Sequence, residues 1–508
     1  MARGAVNRRE RRLAESAAIR QMRFDNIENR YRPIEMMSAD EVEAIHHASL
    51  GLLRDTGMEI MHEESRRLLK TAGADVDETT QRVRFDPAMI EEAIRTAPSR
   101  FTLQARNPAR NLKVGDGNLI FAATGGPAFV SDLDRGRRAG NHADMCDYIR
   151  VVQSLNVIHQ EGGCPCEPTD LPPDSRHLDF YLAAIRLTDK NWQCWALGGY
   201  RVEDAIDMLS ITLRQSREEL KANPATLTII NSNSPLRLDI PMGEGLVAMA
   251  RAGQPIALTP FTLSGAMSPV TIAGALTQQN AEALALIALA QIASPGAPVL
   301  YGGFTSNVDM RTGSPAFGTP EYAKAQIASG QLARRYGVPF RSSNVTASNA
   351  VDVQAAYESG MSLWSTIMGG VHLIEHAAGW LEGGLTASFE KLILDAEMLQ
   401  MMRSFLQPIS VDEGSLAVDT IGEVGPGGHF FGTTHTLARF ENAFYEPMLS
   451  DWRNFENWSE SGARSGTERA NAIWKDLLRT YEQPPLDPAI EEELEAFVAR
   501  RKAEIGQQ

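Results

Sequence analysis

A chain of 508 residues exceeds the usual size of one hydrophobic core, so one large domain with appendages, or two or three domains, is expected. Its 49 basic and 64 acidic side chains leave a net charge of −15, which argues against nucleic acid as the general partner, because phosphate binding needs a basic footprint. With 43% hydrophobic, 7% aromatic and 22% charged residues, the composition is that of an ordinary globular protein and not of a disordered one.

The first 25 residues, MARGAVNRRERRLAESAAIRQMRFD, are Arg-rich and lack the apolar centre of a secretory signal; residues 1–34 read as a flexible arm. Residues 35–115 read as a helical region. SADEVEAIHHASLGLLRDTG offers Ser38 as an N-cap and spaces Val42, Ile45, Leu52 and Leu53 along one face. HEESRRLLKTAGA ends at Gly73 as a helix would, and DPAMIEEAIRTAPS repeats the form.

Over residues 116–410 the texture changes to short apolar runs that end in small or polar residues, each followed by an amphipathic segment. The runs are NLIFAATGG, NVIHQEGG, NWQCWALGGY, ATLTIINSNS, PIALTPFTLSG, PVLYGGFTS, PFRSSNVTAS and GVHLIEHAAG. Eight strand-then-helix units predict an α/β protein, a (β/α)₈ TIM barrel with an N-terminal helical region and a C-terminal helical extension. A doubly wound sheet would carry a Gly fingerprint at its first turn, and none is present. The most apolar helix, AEALALIALAQIA, is too short to span a bilayer and reads as buried. Residues 411–508 hold a Gly-rich loop with His429 and His435, an aromatic stretch and two helices that read as a packing or oligomer-forming appendage.

Cys146, Cys164, Cys166 and Cys194 are too few for a disulfide scaffold and suit the cytoplasm. Chemistry in such a barrel sits where strands end. Paired glycines at 125–126, 162–163, 198–199 and 302–303 would serve either tight turns or the close approach of a ligand or a partner's cofactor. Strand periodicity places His372 and His376 on one face with Glu375 opposite. Both histidines could join Glu161 around a metal; the other readings are histidines satisfied within the core or hydrogen-bonded to a substrate. Trp192, Trp195, Tyr200, Phe261, Tyr301, Phe304, Trp364 and Trp380 lie near strand ends, where they read either as plain core or as aromatic faces that would attract a quaternary ammonium.

HEESRRLLKTAGADVD, APSRFTLQARNP, GTPEYAKAQIASGQLARRYGVPFRSS, HAAGWLEGGLTASFEKLILDAEML, GPGGHFFGTTHTLARF and ERANAIWKDLLRTYEQPPLDPAIEEELEAF resemble the trimethylamine methyltransferase family from about residue 35 onward. The resemblance implies a (β/α)₈ barrel that moves a methyl group from an amine to the cobalt of a separate corrinoid protein. Trimethylamine-using members carry pyrrolysine in a strand resembling PFRSSNVTAS. Here ordinary residues fill Asn344 to Thr346, which implies a member lacking pyrrolysine, of the kind that demethylates quaternary amines such as glycine betaine.

On that reading no residue is catalytic in the strict sense and no metal or cofactor is bound by this chain; the corrinoid comes with its protein. Tyr301, Phe304 and Trp195 would form a cation-binding wall, and His376, His372, Gln160 and Asn344 would hydrogen-bond a substrate carboxylate. Glu161 or Glu375 would supply a counter-charge. A homo-oligomer without membrane or nucleic-acid partners is expected. Two other classes remain open: a betaine-binding barrel without transfer, and a metal-dependent hydrolase or lyase built on His372, His376 and Glu161.

Overall fold

The computed structural model describes residues 19–506. Eight strands form its centre: β1 (Asn118–Ala123), β2 (Gln160–Glu161), β3 (Asn191–Gln193), β4 (Thr226–Ile230), β5 (Ile256–Leu258), β6 (Val299–Gly302), β7 (Phe340–Ser343) and β8 (Leu373–Ala378). Every neighbour is parallel, and β8 returns to β1 in the register Leu373↔Ile120, so the sheet closes on itself. This is the expected (β/α)₈ barrel, and each of the eight apolar runs supplies one strand.

The helices follow the strands in order: α1 (His142–Ser154), α2 (Arg176–Leu187), α3 (Gly199–Leu213), α4 (Ile240–Arg251), α5 (Ile272–Ala293), α6 (Pro320–Tyr336), α7 (Val353–Met368) and α8 (Phe389–Phe405). Most start at a polar cap that accepts a backbone N–H, such as Asn141, Asp239, Thr271, Thr319 and Asp352. Helix α5 is buried on nearly all sides. The barrel covers one flank and the helices Ala39–Asp55 and Pro87–Thr96 cover the other, which is why the run from Ala283 to Ala290 is apolar on every side and the polar Gln279, Asn280 and Glu282 before it are buried with it. Among the described residues no helix is long and apolar enough to cross a membrane.

A two-stranded ribbon, Phe101–Leu103 with Leu112–Val114, plugs the N-terminal end of the barrel. Its Leu103, Leu112 and Val114 pack on the inward Ile120, Ala122, Leu227, Ala257, Leu300 and Leu373. The floor is thereby dry and closed, and the C-terminal end is left for chemistry.

Ser38 caps the helix Ala39–Asp55 with a full capping box. The expected arm over 1–34 lies outside the described residues as far as residue 18. From residue 19 the chain runs against the barrel: Ile27 is buried and pairs with Leu119, and the Asn29 amide donates to the Ile367 carbonyl. The C-terminal helix Gly466–Arg479 sets Trp474 on Phe389 and donates its indole N–H to Glu390. Helix Pro488–Ile505 ties to α3 and α2 through Arg501–Asp204 and Lys502–Asp179. All four cysteines are free thiols, buried.

Candidate active site

Above the apolar floor, the barrel interior turns polar. Gln160 of β2 donates to Asn191 at 2.5 Å and accepts from Gln193 of β3 at 3.0 Å; Gln193 also donates to Glu375 of β8 at 2.5 Å. Four inward amide and carboxyl groups are thus joined, and none of the four is exposed. Next to them lies Arg341 of β7, 2% exposed, whose Nε and Nη1 have no hydrogen-bond partner. Further buried polar atoms without a partner belong to Glu161, Ser343, Asn344, Glu375 and His376. Protein interiors rarely leave such atoms unpaired, and a cluster of them on adjoining strand ends marks a place built to meet a polar guest.

Burial dominates the protonation of these groups. It pushes the Glu375 carboxyl up to about 7, against the opposing pull of Arg341 and of the Gln193 hydrogen bond. Glu161 is raised well above the usual carboxylate range by burial, with nearby Glu375 adding to the effect and the Gly163 N–H opposing it. His376 is held well below its ordinary value by burial and then by the Arg341 charge, so its ring is neutral near pH 7.

An apolar roof closes over this layer. Phe304, Phe317 and Trp380 meet in one cluster with Leu263, Val308, Tyr322 and Val345. Trp380 stacks on His376 at 5.5 Å, Phe304 lies 6.1 Å from the same imidazole, and Phe317 and Trp380 meet edge to face at 5.1 Å. The Arg341 guanidinium carbon sits 5.4 Å from the Phe304 centroid. Gln279 of α5 fixes the turn after β6 by accepting from the Phe304 N–H and the Thr305 hydroxyl.

The segment after β7 is held from two sides. The Asn344 N–H donates to the Glu375 carbonyl and its side-chain amide to the Ala377 carbonyl, both at 3.0 Å. Glu358 of α7 accepts from the Thr346 hydroxyl and from the N–H groups of Ala347 and Ser348. Behind β8, Asp395 accepts from the Gly379 N–H at 2.8 Å and pairs with Lys391 at 2.5 Å.

The structure gathers Phe304, His376, Glu375, Glu161, Gln160 and Asn344 around the inner polar layer or its roof. Three other expected residues lie elsewhere. Tyr301 points outward between barrel and helices, its hydroxyl donating to Asn280 and accepting from Gln279 of α5. The inward position beside it is Leu300, because neighbouring residues of a strand face opposite ways. Trp195 stacks on Phe180 of α2 at 5.8 Å with Arg201 beside it, away from the His376 cluster.

His372 precedes β8 at the floor end, accepting from the Phe340 N–H at 3.0 Å, with burial holding its pKa down to about 4. The expected pairing of His372 and His376 on one face fails for a local reason. The β8–β1 register slips between Ile374 and Ala378, and His376 takes a φ of 53°, so His376 reaches the roof while His372 stays at the floor end; Glu375 faces inward by ordinary alternation, two residues on from the inward Leu373. Among the described residues no three His, Cys, Asp or Glu side chains converge as a metal site would require.

In the first two glycine pairs, one member of each is crowded by the protein's own backbone. A Cβ on Gly162 would stand 1.8 Å from the Ala123 carbonyl oxygen, and one on Gly125 would stand 2.2 Å from that of Gly162. Adjacent strand ends approach too closely for any side chain. His429 and His435 lie on the exposed segment after α8, with His435 bonded to the Gly414 carbonyl. Arg341 and Gln193 were not anticipated as site residues. The one available signal was a lone cation inside an apolar run, PFRSS.

The sequence model of the family described as trimethylamine methyltransferase (MTTB) matches residues 3–506. The chain is 36% identical over 474 residues to the glycine betaine methyltransferase of Desulfitobacterium hafniense strain Y51, covering 93% of this chain and 98% of that protein. It is 30% identical to the trimethylamine methyltransferase MttB of D. hafniense strain DCB-2, covering 92% and 94%. A crystal structure of the hydroxylamine complex of MtmB aligns with a TM-score of 0.47 at 10% identity, over 88% of this chain and 93% of that one.

Proposed function

The chain belongs to the trimethylamine methyltransferase family, and from that premise we propose that it moves a methyl group from a quaternary amine of the betaine type, glycine betaine first, to the Co(I) of a corrinoid carried by a partner protein, without pyrrolysine. The observation that carries this reading is the segment Asn344–Thr346. Ordinary residues occupy it, tied to Ala377 and Glu358, beneath a roof of Phe304, Phe317 and Trp380 and beside the inner polar layer. The similarity to a glycine betaine methyltransferase over nearly the whole of both chains supports the substrate class.

The chemistry asks little of the protein beyond position. The reduced cobalt supplies the electron pair that takes the methyl group. The electrons of the broken C–N bond stay on nitrogen, so the leaving group is a neutral tertiary amine and no proton is required. Phe304 and Trp380 offer ring faces to the cation, worth about 2 kcal/mol per desolvated contact. Gln160, Asn344 and the neutral His376 orient the polar end, and Glu161 and Glu375 offer acceptors whose charge the site itself adjusts. Exclusion of water and in-line aim supply the rate.

The test is methyl transfer from a panel of quaternary amines, with trimethylamine as control, to free cob(I)alamin and to a corrinoid protein from the same source. The expected result is loss of the Co(I) absorbance with glycine betaine and none with trimethylamine. Silence across the panel with both acceptors would overturn the reading.

We also place the protein in the cytoplasm, in line with its four free thiols, and read it as a homo-oligomer. Two apolar surfaces support assembly. Val353, Tyr357, Met361 and Trp364 form an exposed stripe on α7, which continues through Trp364 to Phe405 at 4.9 Å. Residues 409–455 expose Ile409 (87%), Phe431 (85%) and Phe444 (85%). Phe431→Asp with Phe444→Asp is expected to convert the assembly to monomer in sedimentation velocity. An unchanged sedimentation coefficient would contradict this.

A further inference from the structure

Within the barrel Arg341 is an unmatched charge. It is 2% exposed, its Nε and Nη1 have no partner, and Glu375 acts on it only through space, its own Oε2 equally unpartnered. The contrast with the other fully buried cations is direct. Lys391 holds Asp395 and Ser359, and Lys190 donates to the carbonyls of Val152 and Leu155. A buried guanidinium is costly unless an anion meets it, and its planar fork fits a carboxylate through two parallel hydrogen bonds.

We propose that Arg341 receives the carboxylate of the substrate and thereby restricts the enzyme to zwitterionic quaternary amines, rejecting cations that lack a carboxylate. The inference rests on the functional reading above and names the specificity determinant within it. Three further observations agree with it. Phe304 lies 5.4 Å from the guanidinium carbon, and glycine betaine separates its carboxylate from its nitrogen by one methylene, so a carboxylate on Arg341 sets the ammonium beside that ring. Ser343, on the same strand end, holds an unpartnered hydroxyl free to donate to a carboxylate, and His376 an unpartnered Nδ1, within the same layer. The charges balance as well. A zwitterion brings one negative and one positive group to a site that offers a cation at one end and aromatic faces and carboxyls at the other.

The experiment compares wild-type protein, Arg341→Gln and Arg341→Lys. It measures calorimetric binding of glycine betaine, its methyl ester, choline and tetramethylammonium, together with initial rates of methyl transfer to cob(I)alamin. Wild type is expected to bind glycine betaine at least about 50-fold more tightly than the ester or choline, by analogy with the cost of leaving a buried charge unpaired. Arg341→Gln is expected to lose glycine betaine binding by about 100-fold, with a smaller change for tetramethylammonium. Arg341→Lys, which keeps the charge without the fork, should fall between.

The ester comparison on wild type needs no variant, so poor folding of Arg341→Gln does not shield the proposal. Equal affinity of wild type for glycine betaine and its ester, or a folded Arg341→Gln with betaine affinity within about threefold of wild type, overturns it. Tight, Arg341-dependent betaine binding without transfer supports the role of Arg341 and removes the transfer reading. Absence of any betaine binding by wild type overturns both.

Discussion

Asp395→Ala is expected to destabilise the protein by about 3–5 kcal/mol, the usual cost of stranding one partner of a buried ion pair. Lys391 and Asp395 are both fully buried, one turn apart on α8, with Nζ and Oδ1 2.5 Å apart. Burial alone would drive each toward its neutral form, lowering Lys391 and raising Asp395; their contact opposes both shifts. The carboxylate also accepts from Gly379, whose turn carries Trp380 and follows His376. Alanine therefore strands an ammonium and orphans a backbone donor at once. Lys391→Met with Asp395→Leu should recover the part of the loss that comes from the stranded ammonium, since an apolar pair of similar volume often replaces a buried ion pair without cost, while the Gly379 N–H stays unpaired. Denaturant titration measures both; a loss under about 1 kcal/mol for Asp395→Ala would show that the pair does not hold this turn.

Glu375→Gln is expected to flatten the pH dependence of stability. The folded carboxyl titrates at about 7 against an ordinary value of 4.5. Between these values the native protein keeps a proton that the unfolded chain has lost, so stability falls as pH rises through that window. At about 1.4 kcal/mol per pH unit, wild type should lose about 2–3 kcal/mol relative to the glutamine variant between pH 5 and pH 8. Glutamine can still accept from Gln193, so the amide chain remains intact. Parallel denaturant titrations at the two pH values decide it. A wild-type-to-variant difference that stays constant with pH would mean that Glu375 titrates normally.

The barrel was legible because each strand lies in a short apolar run and most of the helices carry their own cap, and both are local signals. Which strand residues face inward was not legible. A parallel barrel buries both faces of its strands, so hydropathy does not alternate and gives no phase. Tyr301 read as a wall residue because it is aromatic and near a strand end, although its inward neighbour is Leu300. The same missing phase concealed Arg341, flanked by Phe340 on the outside and Ser342 bonded to Gln326 of α6. His376 depended on a register slip, which is decided by the fit between two strands far apart in sequence and leaves no mark in either.

That seam also governs how the chain must be made. Ile120 meets Leu373 across about 250 residues of intervening sequence, so the last ladder of the barrel cannot form until its final strand has left the ribosome. Until then β1 offers unpaired backbone groups along an edge that the finished protein never shows. A translation arrest between β7 and β8 would release seven strands with two open edges, a template for joining other chains, whereas an arrest beyond α8 would release a ring already shut.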